Sequence, residues 1–396
     1  MKKNTIYFLS DVHIGTNSPT DWYQDNVHGP YLEAVFNFIN KNSSATQELV
    51  LLGDFVDQWT YLPNVKTPSF AEIIQNNPRI FGGNFNGSNV AGTLLTTLDA
   101  LNGNITYING NHDMSVTAND IAVLKSPDGN IIKSKDIFYT PDIFQNKLLC
   151  THGHAYSLFN APDFQGLSQY PGLPFGFFIT RLSALWSSQQ YTQDKPNDAY
   201  LPNSGNPNGA VFETKALEGV IKSLHSNQGE IASLIMNALL NATNSDQNLT
   251  FIMPDGQTVT VQQVKNAYDP IFAQYPSSTN IQSYYYPDGE VNARESALSA
   301  DVSNDLTPFA HQLGKKAKVI VMGHTHVSED DLQQYPPSLY ANSGFLCPSI
   351  PDMAANPPSF VEVVLNNSQF VVTAYKVFQS GDQYNVSSLY KKTIKC

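Results

Sequence analysis

Short apolar runs, each followed at once by polar residues, recur along the chain. Residues 6–10, 49–52, 105–108, 148–151 and 319–322 have the length and the content of large apolar side chains expected of buried strands. Amphipathic stretches lie between the early runs. Apolar residues recur at Leu32, Val35, Phe36 and Ile39 within 31–40, and a second helical pattern covers 90–101. Alternation of strands and helices predicts an α/β core, in which ligands gather beyond the carboxyl ends of the strands. The pattern changes near the C-terminus. There 339–342, 360–365 and 369–378 read as strands with no helix between them, and Asn366-Asn367 as a hairpin turn. Antiparallel pairing follows, in a mixed sheet or in a second sheet packed on the first. The Pro-rich stretch 335–358 reads as a loop running near the polar residues that precede it.

The interval 155–304 is too long for a simple connection and must hold structure of its own. Residues 177–189 and 211–240 read as helices, 250–261 as a hairpin across Pro254-Asp255-Gly256-Gln257, and 264–274 as a helix. Residues 293–316 read as the helix that returns to the core. The organisation expected is a core in two parts, 1–158 and 305–396, with a mainly helical cap inserted at 159–304. A length of 396 residues exceeds the usual size of one core and agrees with such an insertion.

The polar residues behind the five runs carry the chemistry. They are Asp11-Val12-His13, Gly53-Asp54-Phe55-Val56-Asp57, Gly110-Asn111-His112-Asp113, Thr151-His152-Gly153-His154 and Gly323-His324-Thr325-His326, and they hold six of the nine histidines. Residues two apart in an extended segment point to the same side, so Asp11 and His13 can hold one ion together. His324 and His326 can do likewise, or can hold one ion each. Asp54 offers two oxygens suited to bridging a pair of ions, and Gly53 permits close backbone approach. Asn111 supplies a neutral carbonyl oxygen and His152 a further imidazole. Zinc-type cysteine spacing does not occur, so the donors are nitrogen and oxygen, a set accepted by divalent Mn, Fe or Zn. Two such ions roughly 3.5–4 Å apart polarise phosphoryl oxygens and generate a hydroxide nucleophile near neutral pH. Counting +4 from the ions, −2 from Asp11 and Asp54 and −1 from a bridging hydroxide leaves the cluster at about +1, enough to attract an anionic phosphoester.

Composition narrows the partners. A net charge of −12 opposes broad, phosphate-driven binding to nucleic acid or to an anionic membrane, while leaving room for a local cationic site. No apolar run is long enough to span a bilayer. The N-terminus reaches Asp11 too soon for a secretory signal, so the cytoplasm is the expected location, with an exported mature chain as the alternative. Of the three cysteines, Cys150 lies inside the apolar run Leu148-Leu149-Cys150 and reads as a buried thiol.

The five motifs together resemble the calcineurin-like metallophosphoesterase superfamily, whose pattern is D-x-H, G-D-x-x-D, G-N-H-D/E, H and G-H-x-H. The likeness covers roughly residues 5–155 and 305–378 and leaves the cap uncovered. It implies an αββα sandwich and a dinuclear-metal hydrolase of phosphoesters. One ion would be held by Asp11, His13, Asp54 and His326, the other by Asp54, Asn111, His152 and His324. A metal-bridging hydroxide would attack phosphorus, and His112 would protonate the leaving oxygen as general acid. Asp57 and Asp113 would orient ligands or His112. Within the superfamily, Phe8-Leu9-Ser10-Asp11-Val12-His13, Gly53-Asp54-Phe55-Val56-Asp57-Gln58-Trp59 and Thr151-His152-Gly153-His154 look most like the branch of UDP-2,3-diacylglucosamine pyrophosphatase. That branch usually has Arg where His112 stands here. Protein serine/threonine phosphatases usually have Arg where Gln58 stands.

The substrate expected is a small-molecule phosphodiester, pyrophosphate or phosphomonoester, with an acyl or aryl group as one option. Phe175, Phe177, Phe178 and Trp186 read as cap core or, alternatively, as an apolar wall for that group. A nuclease and a non-catalytic metal-binding scaffold are the competing functions, opposed respectively by the acidic charge and by the intact motif set. His154 reads as supporting the ligands from behind or facing substrate, or else as structural; His28, His225 and His311 read as structural.

Overall fold

The computed structural model describes residues 3–136, 139–141, 147–162, 170, 172–190, 230–274, 297, 300, 301, 303–314, 316–327, 334, 335, 338–348, 353 and 355–396. The first half contains β1 (Thr5–Leu9), α1 (Asp25–Lys41), β2 (Thr46–Leu52), α2 (Phe70–Asn76), α3 (Pro78–Phe81), β3 (Gly83–Phe85), β4 (Ser88–Val90), α4 (Thr93–Ala100), β5 (Ile105–Ile108), α5 (Ala118–Ile121), β6 (Lys133–Lys135) and β7 (Leu148–Cys150). The inserted interval supplies α6 (Gly176–Gln190), α7 (Ile231–Ala242), β8 (Thr250–Ile252), β9 (Thr258–Thr260) and α8 (Val261–Gln274). After it come α9 (Thr307–Leu313), β10 (Val319–Met322), β11 (Gln334–Tyr335), β12 (Ser338–Asn342), β13 (Ser359–Asn366), β14 (Gln369–Ser380) and β15 (Gln383–Lys395). All five strands expected ahead of the polar motifs are present. Residues 211–229 of one expected helix, and parts of 293–316 and 335–358, lie outside the described residues.

Two sheets result. One has seven strands in the order β15-β14-β13-β1-β2-β5-β6, the other four in the order β11-β12-β10-β7. In the first sheet β1, β2 and β5 are parallel neighbours, with Leu9 beside Leu51 and Leu52 beside Ile108. Their carboxyl ends therefore finish side by side. In the second, β10 runs parallel to both β7 and β12, with Val321 beside Cys150 and Met322 beside Asn342.

Strand parity explains how the layers stack. Ile6, Phe8, Val50, Leu52 and Ile108 face Leu148, Cys150, Val319, Val321, Leu339 and Ala341, forming a dry seam between the sheets. The alternate residues Tyr7, Leu9, Leu49, Leu51, Ile105 and Tyr107 point the other way. They pack with Leu32, Val35, Phe36 and Ile39 of α1 and with Leu94 and Leu98 of α4. On the far side of the second sheet, Ile320, Met322 and Tyr340 pack with Phe177 and Phe178 of α6, Ile235 and Leu239 of α7, Val264 of α8 and Phe309 of α9. The order is helices, sheet, sheet, helices: an αββα sandwich whose outer helical layer over the second sheet includes α6, α7 and α8 of the insertion. Strands buried on both faces need continuous apolar runs, which is why the sequence shows no alternation there.

The C-terminal strands differ in three ways from the sequence reading. Strands β13 and β14 pair antiparallel, as expected, and β15 adds antiparallel to β14, but β12 pairs parallel with β10. The connection 323–337 has the length a crossover needs, so the lack of a helical pattern in the sequence does not dictate antiparallel pairing. The hairpin turn is Asn367-Ser368, one residue later than expected, because Asn366 pairs with Gln369 and Asn367 takes the left-handed conformation at φ 55°. Strand β15 escaped the apolar pattern. It is an exposed edge carrying Lys391, Lys392 and Lys395, whose charges oppose pairing with a further chain.

The aromatic stretch of the insertion is packed interior. Phe175, Phe177 and Phe178 are at most 1% exposed and Trp186 packs against the same cluster, so the first three form no wall facing substrate. Beside them the buried Arg181 donates from Nη1 to the carbonyls of Leu62 and Val65, both at 2.7 Å, and lies 4.8 Å from the centre of the Phe177 ring. Burial lowers its guanidinium to about 10, which still leaves it charged at neutral pH. Arg181→Ala strands two carbonyls, so the variant should lose about 1–3 kcal/mol in denaturant unfolding. A midpoint equal to that of the wild type would show that the contact is dispensable.

Candidate metal centre

Left-handed backbone marks the motifs at three of the five strand ends. Asp11 (φ 54°), His13 (54°), Asp54 (51°), His324 (72°) and His326 (56°) all adopt it, although none is glycine. Each such residue costs of order 1–2 kcal/mol, so their concentration in one place signals a function that overrides local preference. Gly53 (φ 85°) continues the turn, and a Cβ there would come within 2.5 Å of the His152 ring. A Cβ on Gly110 would overlap the Asp54 carboxylate. Both glycines are therefore required by close approach.

The side chains converge as two groups that share Asp54. Asp11, His13, Asp54 and His326 have ligand atoms within 4.8 Å of one another, as do Asp54, His152 and His324. In the first group His13 Nε2 faces His326 Nε2 at 3.0 Å, and His326 Nε2 is 3.1 Å from Asp11 Oδ1. In the second, His152 Nε2 is 3.2 Å from both Asp54 Oδ2 and Asn111 Oδ1. The Asn111 amide is turned by its Nδ2, which donates to Asn160 Oδ1 at 3.4 Å, so that its oxygen faces the group. Among the described residues, no donor meets the buried Asp54 Oδ2 in hydrogen-bonding geometry. Two imidazole nitrogens facing each other, beside an unsatisfied carboxylate oxygen, form a donor set that a cation would complete.

Hydrogen bonds behind these groups set the tautomers. His13 Nδ1 donates to Asp57 Oδ2 at 2.9 Å and His152 Nδ1 to the Leu52 carbonyl at 2.9 Å. With Nδ1 carrying the proton, the nitrogen that each ring turns into the cluster is Nε2, whose lone pair is free whenever the ring is neutral. His112 Nδ1 also bonds Asp57 Oδ2 at 2.9 Å, while Asp57 Oδ1 accepts from the amides of Trp59 (2.7 Å) and Thr60 (3.1 Å). His13, Asp57 and His112 also lie within ligand distance of one another. That trio is a hydrogen-bonded relay, because both rings present an N–H to a carboxylate already engaged. Asp113 accepts from the amides of Phe55 (3.0 Å) and Gly110 (2.6 Å), bracing the second and third motifs against each other.

Charge follows the same geometry. Burial opposes ionisation of Asp54, yet His152 and His112 hold its carboxyl well below the usual range. Burial likewise opposes a proton on His152, but Asp54 and Asp11 raise it to about 9. Burial pushes Asp113 up to about 6, with Asp54 adding to the effect. His13 and His324 are pushed down by burial and stay neutral. His154 is pushed down to about 3 by burial and by His152; its Nδ1 has no partner among the described residues. Its ring lies 5.3 Å from that of His152 and 6.4 Å from that of His324. His28 is structural: Gln24 N donates to its Nδ1, and its Nε2 meets the Pro348 carbonyl, each at 2.9 Å. His225 lies outside the described residues.

A family model for calcineurin-like phosphoesterases matches residues 5–225, more than half of the chain. The chain belongs to the calcineurin-like phosphoesterase family. Among solved structures it is similar to Vps29 of Chaetomium thermophilum, at 8% identity over 99% of this chain and 98% of that one, with a TM-score of 0.33. Vps29 of Cryptosporidium parvum matches at 21% identity over 23% of this chain and 46% of that one, with a TM-score of 0.17. These likenesses are too loose to add to the assignment. No curated protein matches the chain. Calcineurin-like phosphoesterases normally bind divalent metals, and the two Asp–His groups are able to hold them.

The motifs contain no tryptophan at position 22, yet Trp22 stands against three of their histidines. Its only sequence signal is nearness to Asp11-Val12-His13. No helix among the described residues is long and apolar enough to cross a membrane. Gly53→Ala adds backbone strain and a clash with His152. The variant should lose about 1–3 kcal/mol of stability together with most of its bound metal. Unfolding and elemental analysis of the purified protein check both, and normal metal content would show that the close approach is not needed.

Proposed function

We propose that the protein is a dinuclear-metal-dependent hydrolase of small-molecule phosphoesters, with mono-, di- or pyrophosphate esters as the substrate class. The observation that carries this is one buried carboxylate, Asp54, common to two donor groups, with a histidine beside them that belongs to neither. On this reading Asp11, His13, Asp54 and His326 hold one divalent Mn, Fe or Zn ion, and Asp54, Asn111, His152 and His324 hold the other. Such ions supply Lewis-acid polarisation of the phosphoryl group and activation of water at neutral pH.

The protein's own part is placement and proton transfer. His112 donates its backbone N–H to Asp54 Oδ1 at 2.8 Å, which fixes the third motif against the shared carboxylate. Its Nδ1–H is held by Asp57, so Nε2 is the nitrogen left to protonate the leaving oxygen. Burial disfavours the imidazolium, but Asp57 and then Asp54 raise His112 above its ordinary value, which keeps an acid proton available near neutral pH. Trp59 stacks on the ring at 4.6 Å and 30°, limiting its rotation. Asp113 supports the loops from behind. We further divide the chain into core segments 1–158 and 305–396 around the insertion 159–304. The helices of that insertion complete the outer layer, and its aromatic core reaches Trp59 through Phe177 at 5.9 Å.

A panel of aryl phosphomonoesters, aryl phosphodiesters, nucleotides and glycerophospholipids, run with each metal, tests the reading; no turnover of any of them would refute it. Asp54→Ala should reduce the content of both ions, because its carboxylate serves both groups. Elemental analysis showing full occupancy would remove it from the bridging role. His112→Ala should lower turnover by about 10²–10⁴ while metal content stays near normal. The loss should shrink for esters with acidic leaving groups, and equal losses for good and poor leaving groups would contradict the acid assignment.

A further inference from the structure

Trp22 lies outside all five motifs, yet its ring meets three of their histidines. Centroid distances are 4.7 Å to His13, 5.1 Å to His112 and 5.6 Å to His326. His112 therefore has two tryptophan neighbours, and they differ in character. Trp59 is 2% exposed and belongs to the core beneath the insertion. Trp22 is only partly buried and packs at the margin of the other core. An indole that keeps open surface beside a reactive centre has an apolar, polarisable ring to offer to a ligand.

The loop carrying Trp22 is built to hold it still. Asp21 is fully buried and accepts from Ser18 N at 2.8 Å and Ser18 Oγ at 2.9 Å. Gln24 Nε2 donates to the carbonyls of Ser18 (2.8 Å) and Asp21 (3.0 Å). Thr20 Oγ1 donates to the Thr60 carbonyl at 2.8 Å, tying the loop to the segment that holds Asp57 and Trp59. A Cβ on Gly15 would come within 2.5 Å of the Asp21 carboxyl, so the turn has no slack. A side chain presented from so constrained a loop has little freedom left to lose when a ligand packs on it.

Resting on the phosphoesterase reading above, we propose that Trp22 forms the leaving-group subsite and that it takes an aromatic or similarly planar apolar group joined through oxygen to phosphorus. A phosphoryl group seated on the two donor groups places its leaving oxygen at His112. The group beyond that oxygen then lies within reach of the indole 5.1 Å from His112. Phe175, Phe177 and Phe178 cannot serve in its place, because they are at most 1% exposed. Trp22 acts here as a specificity-determining residue.

The test compares metal-loaded wild type, Trp22→Ala and Trp22→Phe. Calorimetry measures binding of phenylphosphonate and methylphosphonate, which cannot be hydrolysed, and kcat/KM is measured for phenyl and methyl esters of phosphate. Wild type should prefer the phenyl ligand, and Trp22→Ala should lose about 3–10-fold of that preference in binding and in kcat/KM alike. Trp22→Phe should keep most of it, and the methyl compounds should be little affected by either change. A phenyl preference that survives in Trp22→Ala would overturn the subsite. So would an equal loss on phenyl and methyl compounds with a lowered melting temperature, which would make Trp22 a roof for the histidines only. Wild type that turns over the wider panel of phosphoesters but shows no phenyl preference would overturn the subsite alone, whereas no turnover of any member of that panel would overturn the phosphoesterase reading, and the subsite with it.

Discussion

Asp54 is the point at which the molecule's strand ends are tied together. Its carbonyl accepts from the amides of Val12 and His13, each at 2.9 Å, and its Oδ1 accepts from the amide of His112 at 2.8 Å. Its Oδ2 lies 3.2 Å from His152 Nε2, across the seam between the sheets. A buried carboxylate costs several kcal/mol unless it is paired, and Asp11 lies close enough to add repulsion. The left-handed backbone of Asp54 itself and that of four residues around it add a cost of roughly 5–10 kcal/mol, the size of a typical domain's whole net stability. Cation binding and the stability of these loops are consequently one problem. Whatever satisfies Asp54 also holds together the loops from β1, β2, β5 and β7.

The rest of the architecture can be understood as support for that junction. Parallel β1, β2 and β5 deliver three motifs to one edge of the first sheet, and β7 and β10 deliver two to the same edge of the second. The dry seam between the sheets sets their separation, because close-packed side chains resist compression and leave no room to slide. Each outer face then needs a helical cover. Helices α1 and α4 provide it on one side, while the insertion contributes to it on the other. Helices α6, α7 and α8, from the stretch expected in sequence to be a cap, join that outer layer, and its aromatic residues are spent largely on that packing.

Much of this was legible in the chain because local rules govern it. Runs such as 105–108 and 319–322 match their strands residue for residue, since a strand covered on both faces has no polar position to blur its ends. Helices α6 and α8 and the hairpin β8–β9 followed from spacing and from the Pro-Asp-Gly turn. Strand β15 was illegible for the converse reason: an edge strand with exposed lysines is polar by necessity and resembles a loop. The direction of β12 depends on where its connection travels, which composition does not record.

The motif residues could be picked out from sequence alone because a metal and a phosphoester demand particular donor atoms, and Asp, Asn and His at strand ends supply them. Their division into two groups sharing Asp54 was implied by the family resemblance, and the strand order supplies the physical reason, since it sets which ends are neighbours. The state of each ring was also a tertiary matter, since Asp57 and the Leu52 carbonyl choose the nitrogen that carries the proton. So was exposure. Phe177 and Trp22 are both aromatic residues near the site in space, but only packing decides that one is enclosed and the other keeps an open face. Residue type carries the chemistry available to a side chain, whereas contact and solvent access belong to the whole fold, because they depend on atoms hundreds of positions away.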